Sequence, residues 1–334
     1  PYKSVEGFFD TGILSNTSVS IKKNLGSGSS FNASYSYLTD NGFTPDDAEG
    51  NSTNFLNKHN FALGARTKLD NGLGVRGTFN YIDSDRQTPP ASVGFGSNPS
   101  GASLFANLIY TPRSIDLLNL PYESPVDGSM AYYRRGAAIQ NPLWTLNHAR
   151  DKETIRRFFS TIEMTYEIAP WLNALYRIGI DQYHQQQKRE INRGGSQVPD
   201  GMLFTSSRLN RITDQVLNLM YDFQLTDDLE LDGVVGLNLR RQAGEFTGIS
   251  STNQFVFDFF SHNNFINHES FSFRGEENTV GVYGTATLGY KSYLYVNIQA
   301  RNDWTSTLEK DNRSVFYPSA SVAFIPTEAF AALQ

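Results

Sequence analysis

From Arg208 to Arg241 apolar and polar residues alternate with a period of two, which puts successive side chains on opposite faces of a strand. Leu217, Leu219, Tyr221, Phe223 and Leu225 fall on one face, and Asn218, Asp222 and Gln224 on the other, with Met220 the exception. After the turn Thr226-Asp227-Asp228 the alternation resumes. Leu229, Leu231, Val235, Leu237 and Leu239 stand against Glu230, Asp232, Asn238 and Arg240. A chain written this way makes a hairpin with one greasy face and one wet face.

The same pattern recurs along the chain and predicts about eleven strands, near 15–23, 30–38, 59–69, 73–83, 154–168, 171–185, 207–225, 229–243, 276–290, 292–303 and 313–325. Connections after odd-numbered strands are tight: Asn24–Ser29, Asp70-Asn71-Gly72, Ala169-Pro170, Thr226-Asp227-Asp228 and Lys291. Asp-Asn-Gly is hairpin chemistry, because Asn and Gly tolerate positive φ. Connections after even-numbered strands are long, at 39–58, 84–153, 186–206, 244–275 and 304–312. Loops of this size count against a compact soluble domain. On a transmembrane barrel they belong on one side. A soluble β-sandwich would also alternate, but 207–225 would run roughly 60 Å at about 3.3 Å per residue, well beyond an ordinary globular strand. The predicted fold is all-β, an antiparallel transmembrane β-barrel wall with short periplasmic turns and long extracellular loops.

Composition is compatible with that wall. The 334 residues are 39% hydrophobic, with a mean hydropathy of −0.41. No run of 18 apolar residues exists, so no transmembrane helix is expected, but a barrel strand crosses with only about 9–11 alternating residues. Aromatics reach 13%, with 24 Phe and 17 Tyr. Trp171, Phe223 and Tyr290 lie near tight turns, where a lipid-interface girdle would sit. The absence of cysteine excludes disulfides, thiolate metal sites and cysteine nucleophiles. A net charge of −6 gives no electrostatic support for nucleic-acid binding.

No catalytic, cofactor or metal constellation is legible. His59, His148, His184, His262 and His268 lack metal-ligand spacing and read as surface or loop histidines. Asp46, Asp47 and Glu49 form an acidic loop cluster without the spacing of a calcium loop. Gly26-Ser27-Gly28 is a turn rather than a phosphate cradle, because no helix follows. The wet face collects Arg66, Arg76, Glu163, Arg177, Asp181, Asp222, Glu230, Asp232 and Arg240, a mixed-sign wall unlike a single-sign ion filter. Two aromatic groups in long connections are candidate ligand or partner contacts. One is Phe257, Phe259 and Phe260 within Phe255–Phe260, with Phe265 nearby. The other is Tyr132, Tyr133 and Trp144. The alternative for both is packing beneath their own loops.

Several segments resemble the SusC/RagA-like TonB-dependent outer-membrane transporters of Bacteroidetes. Arg301-Asn302-Asp303-Trp304-Thr305-Ser306 followed by Phe316-Tyr317-Pro318-Ser319-Ala320-Ser321 is similar to the family's R-x-D-W/G-S-S and F-Y-P-S-x-S. Phe8-Phe9-Asp10-Thr11-Gly12 resembles F-F-x-T-G ahead of the early barrel. Asn141-Pro142-Leu143-Trp144-Thr145-Leu146-Asn147 resembles the N-P-x-W of a long external loop, and Tyr35–Gly42 a strand entering an external loop. These matches keep the family's order from Phe8 to Phe330.

The resemblance implies that residues 1–334 are part of a 22-stranded barrel, its second through twelfth strands, lacking the plug domain, the TonB box and the C-terminal half. A start at Pro1 without a signal peptide is expected of such an internal segment. The resemblance also implies a cell outer-membrane location and import of a bulky nutrient, most often an oligosaccharide and sometimes a peptide. A SusD-like surface lipoprotein would cap the long loops, and the TonB complex would act through the plug. No bond chemistry and no cofactor are implied. Arg301, Asp303, Trp304, Tyr317 and Pro318 would be mainly architectural, shaping a strand–loop–strand corner at the barrel rim. The other reading is a structural, adhesive or porin-like outer-membrane barrel without energised transport.

Overall fold

A computed structural model describes residues 1–26, 28–90, 103–134 and 139–330. Eleven strands form one sheet in strict sequence order, every neighbouring pair antiparallel. They are β1 (Leu14–Gly26), β2 (Ser29–Asp40), β3 (Phe55–Lys68), β4 (Gly74–Thr88), β5 (Ala149–Ala169), β6 (Leu172–Ile191), β7 (Met202–Thr226), β8 (Leu229–Gln254), β9 (Phe265–Tyr290), β10 (Leu294–Thr305) and β11 (Ser314–Phe324). Each predicted strand is present in its predicted place. The meander leaves β1 and β11 as edges of the described sheet.

The tight turns follow their sequence chemistry. In the β3–β4 turn Gly72 adopts φ 86°, and Asn71 Oδ1 accepts from Leu73 N–H at 3.1 Å. The β9–β10 turn uses Lys291 at φ 48° and Ser292 at φ 60°, two left-handed residues of the kind a primed turn demands. Gly26 and Gly28 also have positive φ, at 81° and 75°. Ser27 between them lies outside the described residues.

Register assigns every side chain to a face. One row crosses the sheet as Arg66–Arg76–Glu163–Arg177–Val216–Asn238–Gly281–Asp303. It contains Arg66, Arg76, Glu163 and Arg177 of the predicted wet face, and Asp181, Asp222, Glu230, Asp232 and Arg240 lie on the same face, which we call inner. On the outer face, Ile162–Ile178–Gln215–Leu239–Val280 and Met164–Tyr176–Leu217–Leu237–Val282 are successive rows. From the tight turns up to Phe158, Ile180, Thr213, Leu239 and Val280, the outer positions of β5–β9 carry no charged residue. That band covers Leu172–Ile180 on β6 and Leu229–Leu239 on β8, close to the length that crosses a bilayer as a tilted strand. Charge begins immediately above it, at Arg156, Arg211 and Arg241. The boundary shifts by about two rows from β5 to β9, as strand tilt in a barrel requires.

The strands continue far past this belt. β7 has 25 residues and β8 and β9 have 26 each. The predicted long connections at 186–206 and 244–275 are therefore mostly strand, and the true loops are 192–201 and 255–264. The reason is physical. Above the belt both faces are wet, so Gln185–Glu190 shows no alternation although its backbone pairs residue by residue with β7.

The packed apolar core lies in the connection between β4 and β5. Leu104, Leu108, Leu117, Tyr133, Ile139 and Leu146 close around Phe8 from the segment ahead of β1. Two short helices shape this unit. α1 (Leu104–Ile109) starts at Ser103, whose hydroxyl accepts from Ala106 N–H at 3.4 Å. α2 (Pro142–His148) starts at Asn141, whose side chain accepts from Leu143 N–H at 3.0 Å. Asn at the N-cap and Pro in the first turn are what a helix start favours. The early segment is stitched in by Ser4, which donates to the Ile115 carbonyl at 2.7 Å.

Candidate functional site

Above the belt the inner face of β4–β9 combines phenyl rings with paired charges. Phe204 on β7, Phe246 on β8 and Phe271 on β9 form a cluster, with Phe271 6.1 Å from Phe204 and 6.3 Å from Phe246 between ring centroids. Phe246 and Phe271 are almost parallel, 6° apart, and the Arg208 guanidinium lies 5.2 Å from the Phe246 centroid. Gly248 permits this arrangement, because a Cβ there would stand 2.7 Å from the Phe271 ring. Phe273, next on the same face, is 68% exposed.

Ion pairs flank the rings. Arg189 grips Asp151 bidentately at 2.6 and 2.9 Å, and Arg86 meets Glu153 at 3.1 Å. Bidentate guanidinium–carboxylate pairs are geometrically specific and hold both partners in place. Arg86, Asp151, Glu153, Arg189, Phe204 and Phe271 are among the residues that line a cavity of about 400 Å³. It offers apolar faces, both signs of charge and amide groups to a solute passing along the wall. None of these phenylalanines is among the sequence-predicted contacts. The strands were expected to begin or end at 207, 243 and 276, so the alternation that aims these rings inward was hidden in residues read as loop.

The predicted contacts divide by burial. Trp144 is fully buried and Tyr133 is 7% exposed. The Trp144 indole donates to the Gly128 carbonyl at 2.9 Å, and Tyr133 belongs to the loop core. These two are placed as packing residues, the alternative the sequence left open. Tyr132 is 68% exposed. In the 255–264 loop Phe259 is exposed, whereas Phe257 and Phe260 are half-buried. Phe257 packs edge-on to His148, with centroids 5.2 Å apart. Phe265 is buried.

The motif residues near the β10–β11 corner also separate by face. Arg301, Asp303 and Tyr317 are inner, whereas Trp304 and Pro318 are outer. Arg301 donates to both carboxylate oxygens of Asp303 at 2.9 Å and stacks over the Tyr283 ring at 5.3 Å. Gly281 leaves the room: a Cβ there would meet Asp303 Oδ1 at 2.5 Å.

The acidic loop cluster is an internal latch. Asp47 accepts from Asn51 N–H at 2.8 Å and from Arg150 at 2.7 Å. Burial works against its ionisation, but hydrogen bonds from Asn51 and Glu49 and the Arg150 charge hold its carboxyl below the usual range. Among the described residues no group of three or more His, Asp or Glu is arranged to hold a metal ion.

No family model matches the chain. The TonB-dependent receptor P3 of Formosa agariphila is 23% identical over 329 residues, covering 95% of this chain and 30% of that protein. The RagAB peptide importer in its open-open state superposes with a TM-score of 0.72 at 17% identity, covering 97% of this chain and 35% of that one. The RagAB peptide transporter gives 0.73 at 16%, covering 99% and 36%. The siderophore receptor PiuA from Acinetobacter baumannii gives 0.51 at 12%, covering 95% and 47%. The chain spans about a third of the length of the curated relative and of the RagAB chains. It shares their barrel fold and has a weak sequence likeness to TonB-dependent transporters of the RagA/SusC-like kind.

Proposed function

We propose that this chain is part of the barrel wall of a TonB-dependent outer-membrane transporter that imports a bulky solute, and that the solute class is peptide. The observation that carries the first part is the uncharged outer belt of β5–β9, backed by a charged inner face. Such a wall separates lipid from a hydrated lumen. Within the inner face Arg66 stands opposite Arg76 and Asp222 opposite Asp232. Like charges directly opposite are unfavourable, so a plug inside the lumen would supply the counter-charges. This plug would couple to the TonB complex, and the role makes or breaks no bond.

The resemblance alone implies oligosaccharides first. The inner cavity supports peptides instead, because it sets phenyl rings beside both signs of charge and offers neither Trp nor Tyr. Similarity to solved structures described as peptide importers points the same way. The long-loop end would face outward to the medium, where a SusD-like lipoprotein would cover Tyr132, Phe255 and Phe259.

The test is binding to the complete purified transporter. A mixture of oligopeptides should be retained, and Phe271→Ala with Phe204→Ala should weaken retention by about tenfold, since stacking and burial of two rings are worth ~1–3 kcal/mol. Retention of oligosaccharides but not peptides would reject the substrate class and leave the transporter reading standing.

A further inference from the structure

We infer that the free edge of β9, above the end of β10, binds the imported peptide as an added antiparallel strand. This rests on the peptide reading above and names what holds the peptide backbone. β10 pairs with β9 only from Thr279 to Tyr290, whereas β8 follows β9 from Phe265 to Tyr290. Residues 265–278 therefore have a neighbouring strand on one side alone, and among the described residues no further strand or bridge takes the other. This stretch stands above the apolar belt, in water, where an open edge is tolerated. Its backbone shows which groups wait there. Asn278 N–H donates to Ser306 Oγ at 2.9 Å, and the Asn278 carbonyl accepts from Ser306 N–H at 2.9 Å. Both groups of Asn278 thus point to the β10 side. Backbone direction alternates along a strand as side chains do. Glu276, Arg274, Ser272, Ser270, His268 and Ile266 each present an N–H and a carbonyl to the empty side. These pairs repeat every ~6.8 Å, two residues of antiparallel strand. Another peptide backbone matches that repeat, and a sugar chain, which has no ladder of N–H and carbonyl groups, does not.

The edge is open to pairing. Exposed edges are ordinarily blunted by proline, by a bulge or by charge. Residues 265–278 contain no proline, their register with β8 runs without a shift, and none has a positive φ. The outer charges are drawn back to β8, where Arg274 meets Glu245 at 3.4 Å and Glu276 meets Arg241 at 2.9 Å. An antiparallel strand added here would set its inner side chains beside Glu277, Gly275, Phe273, Phe271 and Glu269, in that order from its N-terminus. Phe271 and Glu269 line the cavity assigned to the solute, and Phe273 beside them is 68% exposed. The side chains of Glu269 and Glu277 have no hydrogen-bond or ion-pair partner among the described residues. Apolar and opposite-charge pairs are the stabilising ones across a ladder, so the edge favours a peptide reading apolar, any, apolar, any, basic. A second copy of the same edge fits poorly. An antiparallel pair centred on Phe273 would set Glu269 of each copy against Glu277 of the other, and like charges directly opposite are unfavourable.

The experiment uses the complete purified transporter and the heptapeptide Thr-Leu-Thr-Leu-Thr-Lys-Thr, with calorimetry for affinity and amide exchange across 266–278. Without peptide, alternate amides of that segment should exchange freely, and with peptide they should slow. In the added strand the threonine N–H groups face β9, because hydrogen-bonded partners in an antiparallel pair share a face and the edge residues of β9 are outer. N-methylation of the threonines should weaken binding by about tenfold or more. N-methylation of the leucines and the lysine, whose N–H groups face away, should leave it unchanged. Ser272→Pro removes an edge donor and spares the β8 ladder, so it should match the loss in a barrel that still folds. Ser272→Ala should bind like the wild type. Equal loss from both methylation patterns would overturn the inference, as would a folded Ser272→Pro barrel that binds normally. Amides of 266–278 protected without peptide would overturn it too, since another strand would then occupy the edge. Retention of an oligopeptide mixture without this heptapeptide would do the same. A transporter that retains no oligopeptide would overturn the peptide reading beneath it instead.

Discussion

The Tyr283 hydroxyl donates to Asn218 Oδ1 at 2.6 Å, reaching from β9 to β7 across the full width of β8. It passes over Gly236, where a Cβ would stand 2.2 Å from the ring. A reciprocal strap runs on the outer face. Tyr221 of β7 crosses Gly233 and donates to the Thr285 carbonyl on β9 at 3.0 Å. Two glycines three residues apart in β8 thus let one tyrosine cross on each face, binding three strands beyond their backbone ladder.

Gly236→Ala should break the inner strap. A methyl group inside the ring's position forces Tyr283 away, and overpacking of this kind costs about 1–3 kcal/mol. The expected outcome is a lower urea midpoint for the folded barrel, with Tyr283→Phe recovering none of it. Gly236→Ala matching the wild type would show that the strap carries no stability.

Leu219 and Met220 are neighbours on opposite faces of the belt. Leu219→Arg should impair barrel assembly, because a lipid-facing cation near the midplane costs about 2–4 kcal/mol. Met220→Arg should assemble, because it enters a lumen already lined by Asp222 and Asp232. Asn218 is also inner, but it holds Tyr283, so Met220 is the cleaner position. Equal damage at both sites would contradict the assignment of faces.

His262 fastens the 255–264 loop to the wall, with Nε2 2.8 Å from the Thr205 hydroxyl and Nδ1 2.8 Å from Ser251 Oγ. Burial, then His268 and Lys188, lower its basicity. A histidine less basic in the folded state stabilises that state when neutral. The contribution is present above the unfolded value of about 6.5 and is lost as the pH falls through it, because the unlatched loop takes up the proton first. Amide exchange across 255–264 should accelerate below that pH relative to a His262→Gln variant. Parallel profiles for the two proteins would exclude the latch.

Sidedness follows from the same geometry. A cysteine at Asn263 in the long-loop end should react with an impermeant thiol reagent on intact cells stripped of any covering partner. A cysteine at Asn71, in the β3–β4 turn, should react only after the outer membrane is breached. Labelling in the opposite order would reverse the orientation.

The sequence made the belt legible because lipid on one face and water on the other enforce alternation, as in Leu217–Leu225 and Leu229–Leu239. It concealed the wall above the belt, where Gln185–Glu190 is polar on both faces and the ladder alone maintains the strand. The inner Phe204, Phe246 and Phe271 were lost with it. Trp144 illustrates a different blindness. Its neighbours show it to lie in a long connection, but only its contacts with Gly128 and His148 show that it is buried. The Tyr283 strap pairs residues 65 apart in the chain, a distance at which composition says nothing.

The most direct test is a nitroxide scan along β8 from Leu229 to Ser251 in the complete transporter reconstituted in lipid, comparing accessibility to oxygen and to a water-soluble nickel complex. Odd positions from Leu229 to Leu239 should favour oxygen, even positions should not, and the preference should end at Arg241, with Gly244–Ser251 accessible to nickel. A profile without the period of two, or one in which the lipid phase continues past Arg241 to Ile249, would contradict a membrane-crossing wall with this boundary.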